Sequence, residues 1–280
     1  MRVLWIGFGD IATRCCARLD TSTWQVTAVN RSGATAKGVK NVLADITAPA
    51  SLNKLESEFS KADIVVLTLT PGARDTDTYR RVYLEGLKLV LANIGGAQPH
   101  VIWASSTSVY GQNNGEWVDE ASPAEPTSET GKILRQAEQL LEASGHNYTV
   151  IRYAGIYHGF SQSPQSLLAK VRNGVVAPLE PEHFTNRIHR DDCAAVILHL
   201  MQRIANKLPV HSVYLGVDDC PVSAADVTRG LAKLAGSTIT QELASQRGGS
   251  KRCSNKRLKD EGFSFQYPSW REGYSAAIKG

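Results

Sequence analysis

The residues best placed to do chemistry stand at the start of the chain. Gly7, Gly9 and Ala12 form a Gly-x-Gly-x-x-Ala pattern between an apolar run, Arg2 to Ile6, and helix-favouring sequence. Glycines let a backbone bend sharply and approach a ligand, and a helix that starts there offers free N–H groups at the positive end of its dipole. That combination suits a dinucleotide diphosphate, held by Gly7, Gly9, Asp10, Ile11 and Ala12. The Asp10 carboxylate would repel a diphosphate and is expected to cap the helix instead. Such a pattern alone has a bland alternative, a glycine turn that merely ends a strand.

Three further points recur at the ends of predicted strands. Asn30-Arg31-Ser32 follows the second strand, where a dinucleotide fold reads the adenosine ribose; a carboxylate there accepts from a free 2′-hydroxyl, whereas Arg pairs with a 2′-phosphate. With Arg31 in that place, NADP is expected over NAD, the alternative being a solvated loop arginine. Asp45-Ile46 closes the third strand and Leu69-Thr70-Pro71 the fourth. Asp45 also reads as a turn residue.

The elements needed to hold these residues are legible as apolar runs. Strands are predicted at Arg2–Ile6, around Val26 to Val29, at Val39–Leu43, Asp63–Leu69, His100–Ala104 and Tyr148–Arg152. Helical patterns lie between them, through Ile11, Cys15 and Leu19, through Leu52, Leu55 and Phe59, and from Thr76 to Leu91. Continuous apolar strands alternating with helices imply an α/β fold, a doubly wound parallel sheet of Rossmann type. Ligands of such sheets sit beyond the strand C-termini, which would line up Gly7, Arg31, Asp45 and Thr70 on one edge.

After Tyr157 the alternation stops, and Pro164, Pro178 and Pro181 break up a stretch suited to a small region covering a substrate. The expected division is a dinucleotide-binding domain over 1–157 and a mixed region over 158–280 that partly returns to the main sheet. In that region Asp192 to Met201 and the segment after Ser223 read as helices, Val213 to Val217 as a strand, and Lys251–Glu261 and Trp270–Ile278 as closing helices.

Composition narrows the classes. With 42% hydrophobic and 21% charged residues among 280, the chain can bury a sizeable core. Its apolar runs are too short to span a bilayer and its N-terminus has no signal-peptide order, so a cytoplasmic protein with no membrane association is expected. Five cysteines without Cys-x-x-Cys spacing point to free thiols, with no metal site. The net charge of +4 is modest. The one basic cluster, Lys251 to Lys259, reads as a solvated helix face rather than a nucleic-acid surface.

Ser105-Ser106-Thr107-Ser108-Val109-Tyr110-Gly111 follows the fifth strand and carries a Ser-Ser-x-x-Val-Tyr-Gly element. This element resembles the extended short-chain dehydrogenase/reductase family, which includes nucleotide-sugar epimerases and dehydratases. Ile151 to Tyr157 is similar to that family's sixth strand and following loop, and Arg187-Ile188-His189-Arg190-Asp191-Asp192-Cys193-Ala194 to its His-Val-Asp-Asp-x-Ala element. Tyr214 to Asp219 and Phe263 to Tyr274 extend the likeness over nearly the whole chain. The resemblance implies that Asp45 and Ile46 border the adenine, Leu69, Thr70 and Pro71 the adenosine side, and Ser105 the cleft. Tyr153, Ala154, Gly155 and Ile156 would face the nicotinamide, and Ser106 would donate a hydrogen bond to the reacting substrate oxygen.

The same resemblance exposes a gap. The family's proton transfer uses Tyr-x-x-x-Lys on the next helix, and aligning Gly131 and Glu138 to Leu141 puts Thr130 at the tyrosine and Leu134 at the lysine. A threonine hydroxyl hydrogen-bonds but does not ionise usefully near neutral pH, so Thr130 is expected to position a substrate rather than carry its proton. Two functions follow from the resemblance. One is oxidoreductase-type or epimerase/dehydratase-like chemistry on a small carbonyl or hydroxyl substrate. The other is a non-catalytic module that senses or carries NADP(H). The family counterparts of Arg187, His189 and Arg190 help build the substrate side, which points to an anionic substrate, the alternative being surface charge pairing with Asp191 and Asp192; a homodimer is implied by the resemblance alone.

Overall fold

The computed structural model describes residues 1–73, 75–158, 166–243 and 248–279. Pro164 lies outside the described residues. The chain divides into two units. The first comprises Met1–Val109, Ala124–Arg152 and Ala194–Tyr214; the second comprises Tyr110–Pro123, Tyr153–Cys193 and Leu215–Gly280. Residues 110–123 belong to the second unit, and 194–214 to the first.

The first unit is built on a seven-stranded parallel sheet of Rossmann type: β1 (Arg2–Ile6), β2 (Gln25–Asn30), β3 (Lys40–Leu43), β4 (Ile64–Leu67), β5 (His100–Ser106), β6 (Tyr148–Tyr153) and β7 (Val213–Gly216). Their spatial order is β7-β6-β5-β4-β1-β2-β3. The chain winds outward from β1 in one direction through β2 and β3, then in the other through β4 to β7. The reversal creates a crevice at the C-terminal ends of β1 and β4, the usual ligand position in an open α/β sheet.

The strands form where the sequence supplies unbroken apolar runs. Ile64, Val65, Val66 and Leu67 are all fully buried, as a strand covered on both faces requires. Each such side chain stabilises the fold by roughly 1.5–3 kcal/mol through burial. Helix α1 (Asp10–Cys16) packs Ala12, Cys15 and Cys16 inward. The Leu52–Leu55–Phe59 pattern is helical but broken, with a 3₁₀ turn at Asn53–Leu55 between two short α segments. After β4 the helix Thr76–Tyr79 passes through a π-helical turn, Arg80–Glu85, into α2 (Gly86–Ile94). Helix α3 (Glu129–Glu142) starts at Ser128, whose hydroxyl accepts from the Gly131 N–H at 3.2 Å.

The second unit is assembled from short pieces. Gly155–Tyr157 pairs in parallel with Arg187–His189, and Glu116–Val118 with Lys251–Cys253. Its core joins Tyr157, Leu168, Val171, Val227, Leu231, Trp270 and Tyr274. Ser223 caps the helix Ala224–Ala235 by accepting from the Asp226 N–H at 3.0 Å, and Gly236 ends it in a left-handed conformation.

The basic cluster departs from the expected helix face. Lys251–Cys253 is a strand, and the helix is confined to Lys256–Asp260. Lys251 is buried, while Arg252 lies over the rings of Phe184 and Trp117 at 4.6 and 5.4 Å. Strand pairing to Glu116–Val118 thus overrides the helical composition of the segment. All five cysteines are free thiols, and Cys220 alone among them is half-buried.

Candidate functional site

The glycine turn is fixed by its neighbours. Gly7 has φ +89, and a Cβ there would lie 2.6 Å from the Thr68 carbonyl oxygen, so only glycine fits. Its N–H donates to the Val29 carbonyl at 2.9 Å and its own carbonyl accepts from the Thr68 hydroxyl at 2.7 Å. Thr68 in turn accepts from the Trp5 indole N–H at 2.8 Å. β1, β2 and β4 are thereby joined at the point where the turn begins. Thr68 escaped the sequence reading because one threonine in an apolar strand carries no pattern of its own.

Gly9 is different: no atom lies within 4 Å of a Cβ built there, which leaves open space against the backbone. It is also the N-cap of α1 and, as glycine, brings no side chain to the first-turn N–H groups. The Asp10 carboxylate does not cap the helix. Both its oxygens accept from the Arg14 Nε at 3.1 Å, an i,i+4 pair on the exposed face that competes successfully with the cap. Ile11 is half-buried, and Ala12 is fully buried beneath the turn.

A cavity of about 100 Å³ opens at these strand ends, and its walls include Gly7, Asn30, Arg31, Asp45, Ile46, Leu69 and Thr70. Seven residues singled out from the sequence thus share one cleft. Ile6, Val29, Ala44, Thr47 and Val82 complete it; as small or apolar side chains they bear no chemical signature. Pro71 follows at the rim, half-buried. A larger cavity, about 380 Å³, lies at the opposite end of β1 and β2 beside Arg2, Gln25 and Lys40, and none of the predicted site residues lines it.

The end of the cleft beside β2 and β3 is organised by side chains bonding locally. Asn30 folds the next loop over itself: its Nδ2 donates to the Ala34 carbonyl at 2.7 Å and its Oδ1 accepts from the Ala34 N–H at 3.0 Å. Ser32 is exposed, with its hydroxyl 3.4 Å from Asn30 Oδ1. Asp45 Oδ1 accepts from both the N–H and the hydroxyl of Thr47, at 2.9 and 2.8 Å. Its Oδ2 faces Arg31 at 3.9 Å. Partial burial pushes the Asp45 carboxyl up, but the Thr47 hydrogen bonds and the charges of Arg31 and Arg81 outweigh it and hold it below the usual carboxylate range. Ile46 packs into space that exists because residue 86 is glycine, where a Cβ would come 2.8 Å from Ile46 Cδ1.

At the end of β5 the two serines part. Ser105 is buried, and its hydroxyl donates to Glu138 Oε1 at 2.8 Å, so only its backbone is left for a ligand. Glu138 also accepts from Arg152 Nε at 3.0 Å, Arg152 Nη2 at 2.7 Å and Arg135 Nη1 at 3.2 Å, a network that ties β5, α3 and β6. Ser106 is half-buried, and its Oγ accepts from the Ser108 N–H at 3.1 Å, which leaves the hydroxyl proton to be donated. Gly131 lets α3 close against this turn, since a Cβ there would lie 2.6 Å from the Ser108 carbonyl oxygen. Thr130, one residue before, is half-buried, while Leu134 is buried. Glu129 and Lys132 pair with each other at 2.7 Å on the exposed side of α3.

Tyr153 to Ile156 belong to the second unit. The Tyr153 hydroxyl donates to the Cys193 carbonyl at 2.8 Å. The Ala154 N–H donates to the Gly216 carbonyl, while Gly155 and Ile156 are exposed on the strand paired with Arg187–His189. Tyr157 stacks on Tyr274 with centroids 4.7 Å apart, and its hydroxyl donates to the Ser269 carbonyl at 3.3 Å. The Tyr110 hydroxyl donates to the Asp119 carbonyl at 2.8 Å. Each of these phenols is engaged by a backbone carbonyl in a structural role. His158 is half-buried, and His189 lies over the Tyr267 ring with centroids 3.9 Å apart.

Comparison with known proteins identifies the family and the fold. The family of NAD(P)H-binding proteins matches residues 7–203. Protein YeeZ of Escherichia coli strain K12 is 28% identical over 208 residues, 72% of this chain and 73% of its own length. A candidate NAD-dependent epimerase/dehydratase from Methylobacillus flagellatus superposes with a TM-score of 0.82 at 31% identity, covering 99% of this chain and 97% of the other. The UDP-glucose 4-epimerase of Thermus thermophilus, solved with NAD, superposes at 0.81 over 100% and 98% of the two chains, at 18% identity that shows likeness of fold alone. No helix among the described residues is long and apolar enough to cross a membrane. With a family match across most of its length, this chain belongs to the NAD(P)H-binding family and has the extended short-chain dehydrogenase/reductase fold of epimerase/dehydratase type.

Proposed function

We propose that the protein is an NADP(H)-dependent enzyme acting on a small carbonyl or hydroxyl substrate, with chemistry of the oxidoreductase or epimerase/dehydratase type. The observation that carries this reading is the single cleft shared by Gly7, Asn30, Arg31, Asp45 and Thr70. The space against Gly9 receives the diphosphate, Arg31 meets the 2′-phosphate in place of the carboxylate that would select NAD, and Asp45 with Ile46 borders the adenine. A bound nicotinamide supplies or accepts a hydride. Ser106 then donates its hydroxyl proton in a hydrogen bond to the substrate oxygen and favours negative charge there. Thr130 orients the substrate without moving its proton.

A second reading, a protein that binds NADP(H) without turnover, is favoured by one observation: buried Leu134 stands where the resemblance places the lysine. Mixing the protein with NADPH and a panel of aldehydes, ketones and keto acids, and following nicotinamide absorbance, separates the two. Turnover that Ser106→Ala abolishes supports the enzyme. Tight NADPH binding with no turnover anywhere in the panel supports the sensor.

A further inference from the structure

The π-helical turn Arg80–Glu85 is an interruption that the glycine turn and the strand ends do not explain. A π turn rotates the side chains that follow relative to a regular helix, and such turns cluster at functional sites. Two contacts place this one at the adenosine end of the cleft. Val82 forms part of the cavity wall, and Gly86, directly after the turn, receives Ile46. Arg81 immediately precedes Val82, is exposed, and acts electrostatically on Asp45.

Asp45 thus lies 3.9 Å from the Arg31 guanidinium that follows β2, and the positive charge of Arg81 on the π turn also lowers its carboxyl. Its Oδ1 is fixed by Thr47, leaving Oδ2 towards Arg31 at 3.9 Å, beyond hydrogen-bond range. Among the described residues neither guanidinium donates a hydrogen bond, although each carries five N–H donors. Asp75, the other carboxylate near Arg81, is committed to capping Thr76–Tyr79, accepting from the Thr78 N–H at 2.7 Å and its hydroxyl at 2.9 Å. Two arginines with uncommitted donors beside a nucleotide cleft match a phosphate, which accepts from both at once.

We infer that Arg81 is a second cation for the phosphate on the adenosine ribose, acting together with Arg31, and that Asp45 is their shared counter-ion in the free protein. The inference rests on the proposed preference for NADP and extends it to a residue outside the glycine turn and the β2 loop. The phosphate draws both guanidinium groups away from Asp45, whose Oδ2 is then released towards the adenine.

Calorimetric titration with adenosine 2′,5′-bisphosphate and adenosine 5′-monophosphate isolates this contact from the nicotinamide end. The wild type binds the bisphosphate at least about tenfold more tightly, and Arg31→Ala and Arg81→Ala each remove about five- to tenfold of that advantage. Affinity for the monophosphate stays within about twofold, and Arg81→Lys recovers part of the loss. Both arginines are exposed, so the melting temperature reports any loss of fold separately. An Arg81→Ala protein that keeps the full advantage while Arg31→Ala loses it overturns the role of Arg81 and leaves the NADP reading standing. A wild type that does not distinguish the two ligands overturns both.

Discussion

The hydroxyl of Thr68 holds the carbonyl of Gly7 at 2.7 Å, while the Thr68 backbone carbonyl closes the space where a side chain at position 7 would stand. One residue directly after β4 thus both shapes the glycine turn and enforces its glycine. Gly7→Ala must move the Thr68 carbonyl and adopt a positive φ, and is expected to cost about 2–4 kcal/mol, read from urea unfolding. Thr68→Val leaves the Trp5 indole N–H and the Gly7 carbonyl without their partner and should cost about 1–3 kcal/mol. An unchanged urea midpoint in both variants would show that the turn is not held in this way.

Glu138 and Arg152 form a nearly dry pair, 2% and 4% exposed, with Ser105 and Arg135 completing the carboxylate's shell. Removing one member strands the other charge. Glu138→Ala is expected to destabilise the protein by about 3–5 kcal/mol, and Arg135→Ala, whose residue is more exposed, by under about 1 kcal/mol. Comparable losses in the two variants would contradict a dry pair at the centre of this network.

Asp218 is buried, accepts from the Cys220 N–H through Oδ1, and leaves Oδ2 without a partner among the described residues. Burial raises its carboxyl from 3.8 to about 7, against the lowering effects of the Cys220 N–H and Arg187. A folded value above the unfolded one means that the native state keeps the proton longer. Its contribution to stability is complete below about pH 4, falls as the pH rises towards 7, and is flat above, a total loss of up to about 4 kcal/mol. Asp218→Asn removes that slope. Relative to wild type, the variant should gain at least about 1.5 kcal/mol between pH 5 and pH 8 in urea titrations. Parallel pH profiles would show that Asp218 is not the titrating group.

The sheet was legible because its strands are buried on both faces and read as unbroken apolar runs, as at Ile64–Leu67. The glycine pattern, Arg31, Asp45 and Thr70 were legible because polar and conformationally permissive residues at strand ends leave a mark. Local sequence was silent where a long-range partner decides the outcome. Lys251 to Cys253 has the composition of an exposed basic helix and becomes a strand only because Glu116–Val118 offers it an edge. Asp10 carries the chemistry of a cap, yet Arg14 one turn later takes it. The wall residues Ala44 and Val82, and the junction at Thr68, depend on which strands and helices meet, and no spacing along the chain encodes that.

The central claim is that a dinucleotide diphosphate lies against the backbone at Gly9, and NADPH binding to Gly9→Ala tests it most directly. A Cβ at this position meets no protein atom within 4 Å and φ is −107, so the variant should fold with a melting temperature within about 2 °C of wild type. The methyl group would instead occupy the space left for the ligand, and NADPH affinity is predicted to fall by at least about tenfold. A well-folded Gly9→Ala protein that binds NADPH as tightly as the wild type would contradict the account.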